Sequence, residues 1–379
     1  MPENITYDLA IVGGGLAGLS LSIQMAKAGY KVILFEKEKY PFHRVCGEYI
    51  SYESWNFLES LGLELRSLNV SHIKRLQVSD TKGNSFEQQL PLGGFGISRY
   101  TLDHQLAQLA KQNGVILYEE TRVNEINFNN NEFLISAASG SYRSKLSAGS
   151  FGKRSNLDIK WKRPFAVAKN NKLNNYIGIK YHIKYNFPND LIALHNFKNG
   201  YCGISKVEDD KYCLCYLTTA GNLQSSNNDI YKMEQSVLSA NPHLKKIFSD
   251  CEMLWKEPVT ISQISFDKKN LIQDHVLMIG DASGMITPLC GNGMSMALHA
   301  SKIAAGQLQD FLSGKISRDE MERNYSAQWN KLFANRLKMG RTLQKLMLNR
   351  SLINFTISIG KIFPAIIRAL IKQTHGQPF

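Results

Sequence analysis

Three glycines in "IVGGGLAGLS", Gly13, Gly15 and Gly18, follow the G-x-G-x-x-G spacing. That spacing lets a chain turn tightly, brings a pyrophosphate against bare backbone and packs a helix closely on a strand. Free N–H groups at the start of the helix then face the anion. Glu36, which ends the next apolar run, is placed to accept hydrogen bonds from a ribose diol. A second glycine-bearing stretch, "GDASGMITPLCGNGM", lies far downstream at 280–294. It sets Gly280 and Asp281 after an apolar strand, then runs through Pro288, Gly291 and Gly293 into a helix opening at Met294. An acid there can bind a sugar-alcohol hydroxyl, and glycines before a helix let its N–H groups meet a ring oxygen that gathers negative charge.

The elements that must position these residues follow from hydrophobic periodicity. Asp8–Val12 and Lys31–Phe35 have strand character, and Leu16–Ala28 has helical spacing closed at Gly29. The spacing predicts a third strand over Val276–Ile279. The first turn suits an adenine dinucleotide and does not separate NAD from FAD. A nicotinamide cofactor needs no second element, whereas the longer FAD does, so two glycine turns point to FAD.

The second stretch resembles the flavin-contacting segment of FAD enzymes with the para-hydroxybenzoate-hydroxylase fold, closest to the geranylgeranyl reductase family. Hydroxylases of that fold usually carry His after "GDAA", and this chain has Gly284. "ISRYTLDHQLAQLAKQNGVILY" is similar to the family's Arg-x-x-Leu-Asp helix, which implies that Arg99 lies near the FAD phosphates. "YPFHRVCGEYIS" resembles the segment that runs along the flavin and implies roles there for Arg44, Cys46 and Gly47. Val123 matches the position that meets adenine through its backbone. Within that loop Cys46 and Glu48 are the candidate catalytic acids. The thiol is mostly protonated at neutral pH, whereas Glu48 needs a raised pKa to serve.

Two segments depart from the family. The Asp of its G-A-D-G-x-x-S segment is replaced by Phe151 in "GSFGKRSNLD", which leaves the electron donor open between NAD(P)H and a reduced protein. Lys153 and Arg154 are the charges available there. The Tyr-x-Trp strand of the reductases becomes "GYCG", keeping Tyr201 as a candidate substrate contact and placing Gly203 where tryptophan is expected.

The expected fold is α/β: a discontinuous Rossmann-like FAD-binding domain (1–71, 96–163 and 258–310), an antiparallel β-sheet substrate domain (72–95 and 164–257) and a C-terminal helical region (311–379). Alternating stretches such as "FAVAKN" and "NYIGIKYHIKY" predict the second sheet. The expected activity is that of an FAD-dependent oxidoreductase reducing a carbon–carbon double bond of a lipophilic small molecule. A monooxygenase hydroxylating an aromatic or polyketide-type ring is the alternative. An RNA-acting flavoprotein, suggested by the net charge of +13, finds no nucleic-acid motif. Much of that charge sits in residues 311–379, with twelve Lys and Arg against three acids and none of the acids after Glu322. Residues 330–375 are expected either to pack on the FAD domain or to contact a membrane surface peripherally. Six cysteines show no paired spacing, so neither a metal site nor a disulfide framework is expected. With no basic-then-apolar leader in "MPENITYD", the reading is a cytoplasmic protein, peripheral at most to the inner face of the membrane.

Overall fold

The computed structural model describes residues 5–167, 176–264, 266–288, 291–348 and 350–379. The expected α/β architecture is present, with two sheets and a helical C-terminal region. In the first sheet, Val276–Met278, Gly140–Gly149, Thr6–Val12, Val32–Phe35 and Ile116–Tyr118 run parallel in that spatial order. Helices Leu16–Lys27, Arg99–Gln112 and Gly293–Leu312 cover one face, and the hairpin Val123–Asn129/Glu132–Ala137 continues from Gly140–Gly149. Burial on both faces is why "LAIV" and "VILF" are unbroken apolar runs rather than alternating ones.

Among the described residues the second sheet has nine strands, running from Glu252–Met253 through Tyr176–Lys184, Tyr212–Thr219, Gly200–Lys206, Leu191–Phe197, Ser71–Ser79 and Ser85–Gly96 to Tyr49–Ser51, with Val259–Ile264 beside Tyr176–Lys184. It is antiparallel except where Leu191–Phe197 lies parallel to Ser71–Ser79. Tyr49–Ser51 and Val259–Ile264, which the sequence reading put with the FAD-binding segments, pair into this sheet at Tyr49↔Gly96 and Lys180↔Val259. The start of the expected strand "FAVAKN" is instead a short helix, Pro164–Val167, because proline suits the first helical position. The rest of that stretch, 168–170, lies outside the described residues.

Alternation gives the second sheet two different faces. Ile179, Tyr181, Ile183, Leu214 and Tyr216 pack beneath small helices through Met233, Leu244 and Ile247. The opposite face is apolar at one end, where Val78, Phe86, Leu194, Tyr201 and Leu217 meet Met347, Ile353, Ile357 and Ile367. It turns polar at the other end, where register sets Lys180 beside Cys215 and Gly203, and His182 beside Cys213 and Ser205.

The long helix Arg318–Leu348 packs on the first domain through Met321, Tyr325, Trp329 and Phe333. The next two, Arg350–Ile362 and Pro364–Thr374, pack mainly on the second sheet, and the end of the last one meets the FAD-binding part where Asn292 Nδ2 donates to Thr374 O at 2.5 Å. Gly360 permits their close approach, since a Cβ there would lie 2.6 Å from the Phe86 ring.

Candidate active site

The first glycine turn is built around an uncapped helix start. Gly15 is the N-cap of Leu16–Lys27 and no side chain closes it. The first helical bond runs from Leu19 N to Gly15 O at 2.9 Å, so the N–H groups of Leu16, Ala17 and Gly18 have no intrahelical acceptor. Gly13 has φ of 106°, and a Cβ on it would lie 2.3 Å from Ser150 O. A Cβ on Gly18 would lie 2.1 Å from Gly13 O, whereas one on Gly15 meets only Arg99 Nη2 at 3.8 Å. The second turn docks on the first. A Cβ on Gly280 would lie 3.1 Å from the Ala17 Cβ, and the Ser20 hydroxyl donates to Ser301 at 2.7 Å. Both turns therefore serve one cleft at the ends of Thr6–Val12 and Val276–Met278.

Charge is gathered along that cleft. Arg99 forks onto Asp103 with two 2.7 Å bonds, and Arg44 bridges Asp103 at 3.1 Å and Glu36 at 3.0 Å. Glu36 also accepts from Gly14 N at 2.8 Å and Glu38 N at 3.1 Å, which leaves one lone-pair direction for a ribose hydroxyl. Val123 begins its strand beside this corner, its carbonyl taken by Asn156 Nδ2 at 3.0 Å. Across the cleft the Asp281 carboxylate makes no hydrogen bond among the described residues, and burial pushes its pKa up against the pull of Lys269, Arg99, Lys153 and Arg44. Lys269 donates to the backbone oxygens of Lys153 and Asp281, both at 2.7 Å, and burial pulls its pKa down to about 8. Burial does the same to Lys153, whose ammonium makes no hydrogen bond among the described residues and is held only by the charge of Asp281. Phe151 fills the space over Gly149 with its ring 6.2 Å from Trp161.

FAD fits these residues. The bare helix start and its neighbouring cations suit a pyrophosphate, and the unpartnered Asp281 carboxylate suits a ribityl hydroxyl. Asp281→Ala should keep the fold and weaken FAD binding by about ten- to a hundredfold, the worth of a charge-assisted hydrogen bond of about 1.5–3 kcal/mol. Titration of the apoprotein by flavin fluorescence measures it, and an unchanged dissociation constant would reduce Asp281 to a loop acid.

Where the second glycine loop and the segment around Cys46 meet the second sheet, a buried polar cluster forms. Gly291 N donates to Pro288 O at 3.0 Å, closing the turn before Gly293 and Met294; Cys290 lies outside the described residues. Cys46 Sγ is 3.6 Å from Met294 Sδ, and burial pushes the thiol pKa up. Glu48, fully buried with φ of 54°, accepts from Arg99 N at 2.7 Å, pairs with the Lys180 ammonium and meets His182 Nε2 at 2.6 Å. The pKa of Glu48 is held down at about 2: Lys180 and His182 outweigh the upward push of burial. The carboxylate is thus a fixed anion, which corrects the expectation that Glu48 could act as an acid. Tyr201 lies at the apolar end of the same sheet face, 4 % exposed and packed toward the C-terminal helices.

Sequence reasoning missed Lys180, His182, Lys269 and Cys213. Their one visible signal was "IKYHIK", where Lys180 and His182 sit two apart on a strand that is otherwise apolar and aromatic. Glu48, His182 and Cys213 bring a carboxylate oxygen, a ring nitrogen and a thiol within 4.8 Å of one another, a donor set seen at metal centres. The Lys180 ammonium already neutralises that carboxylate, and Cys213 Sγ donates to Cys46 O at 3.2 Å, so a cation would have to displace both. The cysteines at 46, 202, 213, 215 and 251 are free thiols.

Comparison with known proteins supports FAD as the cofactor. Residues 6–136 match the family described as FAD binding domain. The chain is 25 % identical to conditioned medium factor receptor 1 of Dictyostelium discoideum, across 89 % of this chain and 70 % of that protein. It is 33 % identical to the digeranylgeranylglycerophospholipid reductase of Methanococcus vannielii over 21 % of each chain. Its fold is similar to that of the flavin-dependent brominase Bmp2, with a TM-score of 0.81 and 17 % identity over 98 % of this chain and 93 % of that one.

Proposed function

We propose that this FAD-dependent oxidoreductase, whose fold is that of para-hydroxybenzoate hydroxylase, reduces a carbon–carbon double bond in a lipophilic small molecule. The observation that carries the proposal is the Cys46 thiol, kept protonated by burial and set beside Met294 at the start of Gly293–Leu312. Bound FAD would supply the two electrons as hydride. Addition of hydride to an alkene carbon leaves the neighbouring carbon short of a proton, and a protonated thiol can donate one. Glu48 cannot, being held as an anion. Its part is to fix the loop that carries Cys46, through Lys180 and His182 on one side and Arg99 N on the other.

A lipophilic substrate is supported by the apolar character of the sheet beside the site, where Leu194, Tyr201 and Leu217 pack under the C-terminal helices. Gly203 stands where the reductases are expected to carry a tryptophan, and a Cβ on it would already touch Leu194 at 3.4 Å. The short reductase match supports the same chemistry. Product mass from isoprenoid alkenes and from polyketide-type aromatics decides between reduction and hydroxylation. A gain of two hydrogens supports the proposal, and a gain of one oxygen overturns it.

Cys46→Ser keeps the size and lowers the acidity. It should bind FAD and accept electrons normally, yet turn over at least about tenfold more slowly, the lower range of general-acid effects. Stopped-flow kinetics separate the two half-reactions. Full turnover would leave Cys46 as pocket lining.

A further inference from the structure

We propose that the corner between Arg350–Ile362 and Pro364–Thr374 seats the enzyme on an anionic lipid bilayer. The two helices are bent by 113° at this point, and no single helix among the described residues is long and apolar enough to cross a membrane. Their inner sides are occupied: Ile353, Ile357 and Ile367 are buried against the second sheet. The convex side is bare. Lys361, Ile362, Phe363, Pro364 and Ala365 are exposed in succession, with Ile362 at 67 % and Phe363 at 55 %. Leu352, one face along, is 45 % exposed. Scattered exposed apolar residues are ordinary on protein surfaces. An adjacent isoleucine and phenylalanine at the tip of a bent helix pair form a wedge that nothing in the described chain covers.

Charge identifies what the wedge meets. Ten Lys and Arg follow Glu322 and no acid does. Of these, Arg336 is spent internally on Glu53, and Lys361 and Arg368 flank the exposed tip. Cations attract an anionic lipid surface, while an aliphatic and an aromatic side chain between them gain by entering the boundary of headgroups and acyl chains. A nucleic acid would reward the charge and leave Ile362 in water. The location also fits the substrate class proposed above, on which this part of the argument rests. The helices that carry the tip pack on the apolar end of the sheet face whose other end holds Gly203 and Lys180, so docking there would bring that face close to the bilayer.

Full-length, FAD-loaded protein is tested by co-sedimentation with vesicles, without substrate. The vesicles are phosphatidylcholine alone or phosphatidylcholine mixed with phosphatidylglycerol, at low and at high salt. The expected result is binding to the phosphatidylglycerol vesicles that weakens with salt. Ile362→Asp with Phe363→Asp should reduce that partitioning at least tenfold while leaving the flavin spectrum and melting temperature unchanged. Lys361→Glu with Arg368→Glu should reduce it without touching the apolar tip. Failure of the wild-type chain to sediment with anionic vesicles overturns the proposal, as does binding that both double variants retain in full. Because substrate is absent, a chain that docks but never reduces an alkene would refute the proposed reaction and leave the docking surface standing.

Discussion

Gly15→Val is expected to give a folded protein that purifies without its flavin colour. Gly15 has φ of −81° and ψ of −176°, an ordinary extended conformation that valine adopts without strain. A Cβ there touches nothing of the protein nearer than Arg99 Nη2 at 3.8 Å. Its methyl groups would therefore fill only the space before the free N–H groups of the first helical turn, where the pyrophosphate must sit. Loss of that approach should weaken FAD binding by roughly a hundredfold or more, equivalent to about 2.7 kcal/mol. Apoprotein stability should stay within about 0.5 kcal/mol of the parent, as for surface substitutions. Gly18→Val should do the reverse. Its Cβ would strike backbone at 2.1 Å, so the fold suffers before any ligand is considered. Absorbance at flavin wavelengths and urea melts of both apoproteins separate the cases. Normal FAD content in Gly15→Val would mean that the cofactor lies elsewhere.

Glu48→Gln should be among the most destabilising single changes in this chain. Both charged partners are fully buried, and removing the carboxylate leaves the Lys180 ammonium without its counter-charge. Breaking a buried pair in this way costs about 3–5 kcal/mol. The same bond gives the wild type a specific acid sensitivity. The pKa of Glu48 is depressed from 4.5 to about 2, so its contribution is complete above 4.5 and is lost as pH falls toward 2. Linkage puts that contribution at about 3 kcal/mol. Urea melts between pH 6 and pH 2 should show a steeper fall in wild-type stability than in Glu48→Gln, which keeps only the loss from other paired carboxylates such as Asp8 and Glu119. Adding Lys180→Met to Glu48→Gln should restore part of the loss, because two neutral side chains need no pairing. A Glu48→Gln protein within 1 kcal/mol of the parent would show that the cluster is wet and weakly coupled.

The sequence displays local features of this site and hides the ones made by tertiary register. The turn from Val12 to Leu16 is legible because glycine spacing and helical periodicity are written within a few residues. Arg99 and Asp103 are legible as a pair four apart on one helix. Glu48 with Lys180 and His182 is not, since the partners are 132 and 134 residues away and meet only because two strands place His182 beside Cys213. Without that register Glu48 reads as a free loop acid, when it is an anchored anion. Membership of Tyr49–Ser51 and Val259–Ile264 in the second sheet fails to show for a similar reason. Three residues, or six with mixed exposure, carry too little pattern to say which edge they join. In the C-terminal region amphipathic spacing announced helices, but not that Ile353 and Ile357 would face Phe86 instead of the first sheet.

The hydroxyl bond between Ser20 and Ser301 joins residues 281 apart in the chain. Closing so long a loop costs on the order of 5 kcal/mol of chain entropy, and the cost falls due before the two glycine turns can meet. During synthesis the first strand–turn–helix can form early, yet its anion site has only one wall until the second turn has left the ribosome. A dinucleotide that touches both walls binds the assembled state and not its separate halves, so the concentration of free FAD should set how often newly made chains complete assembly instead of lingering half-closed.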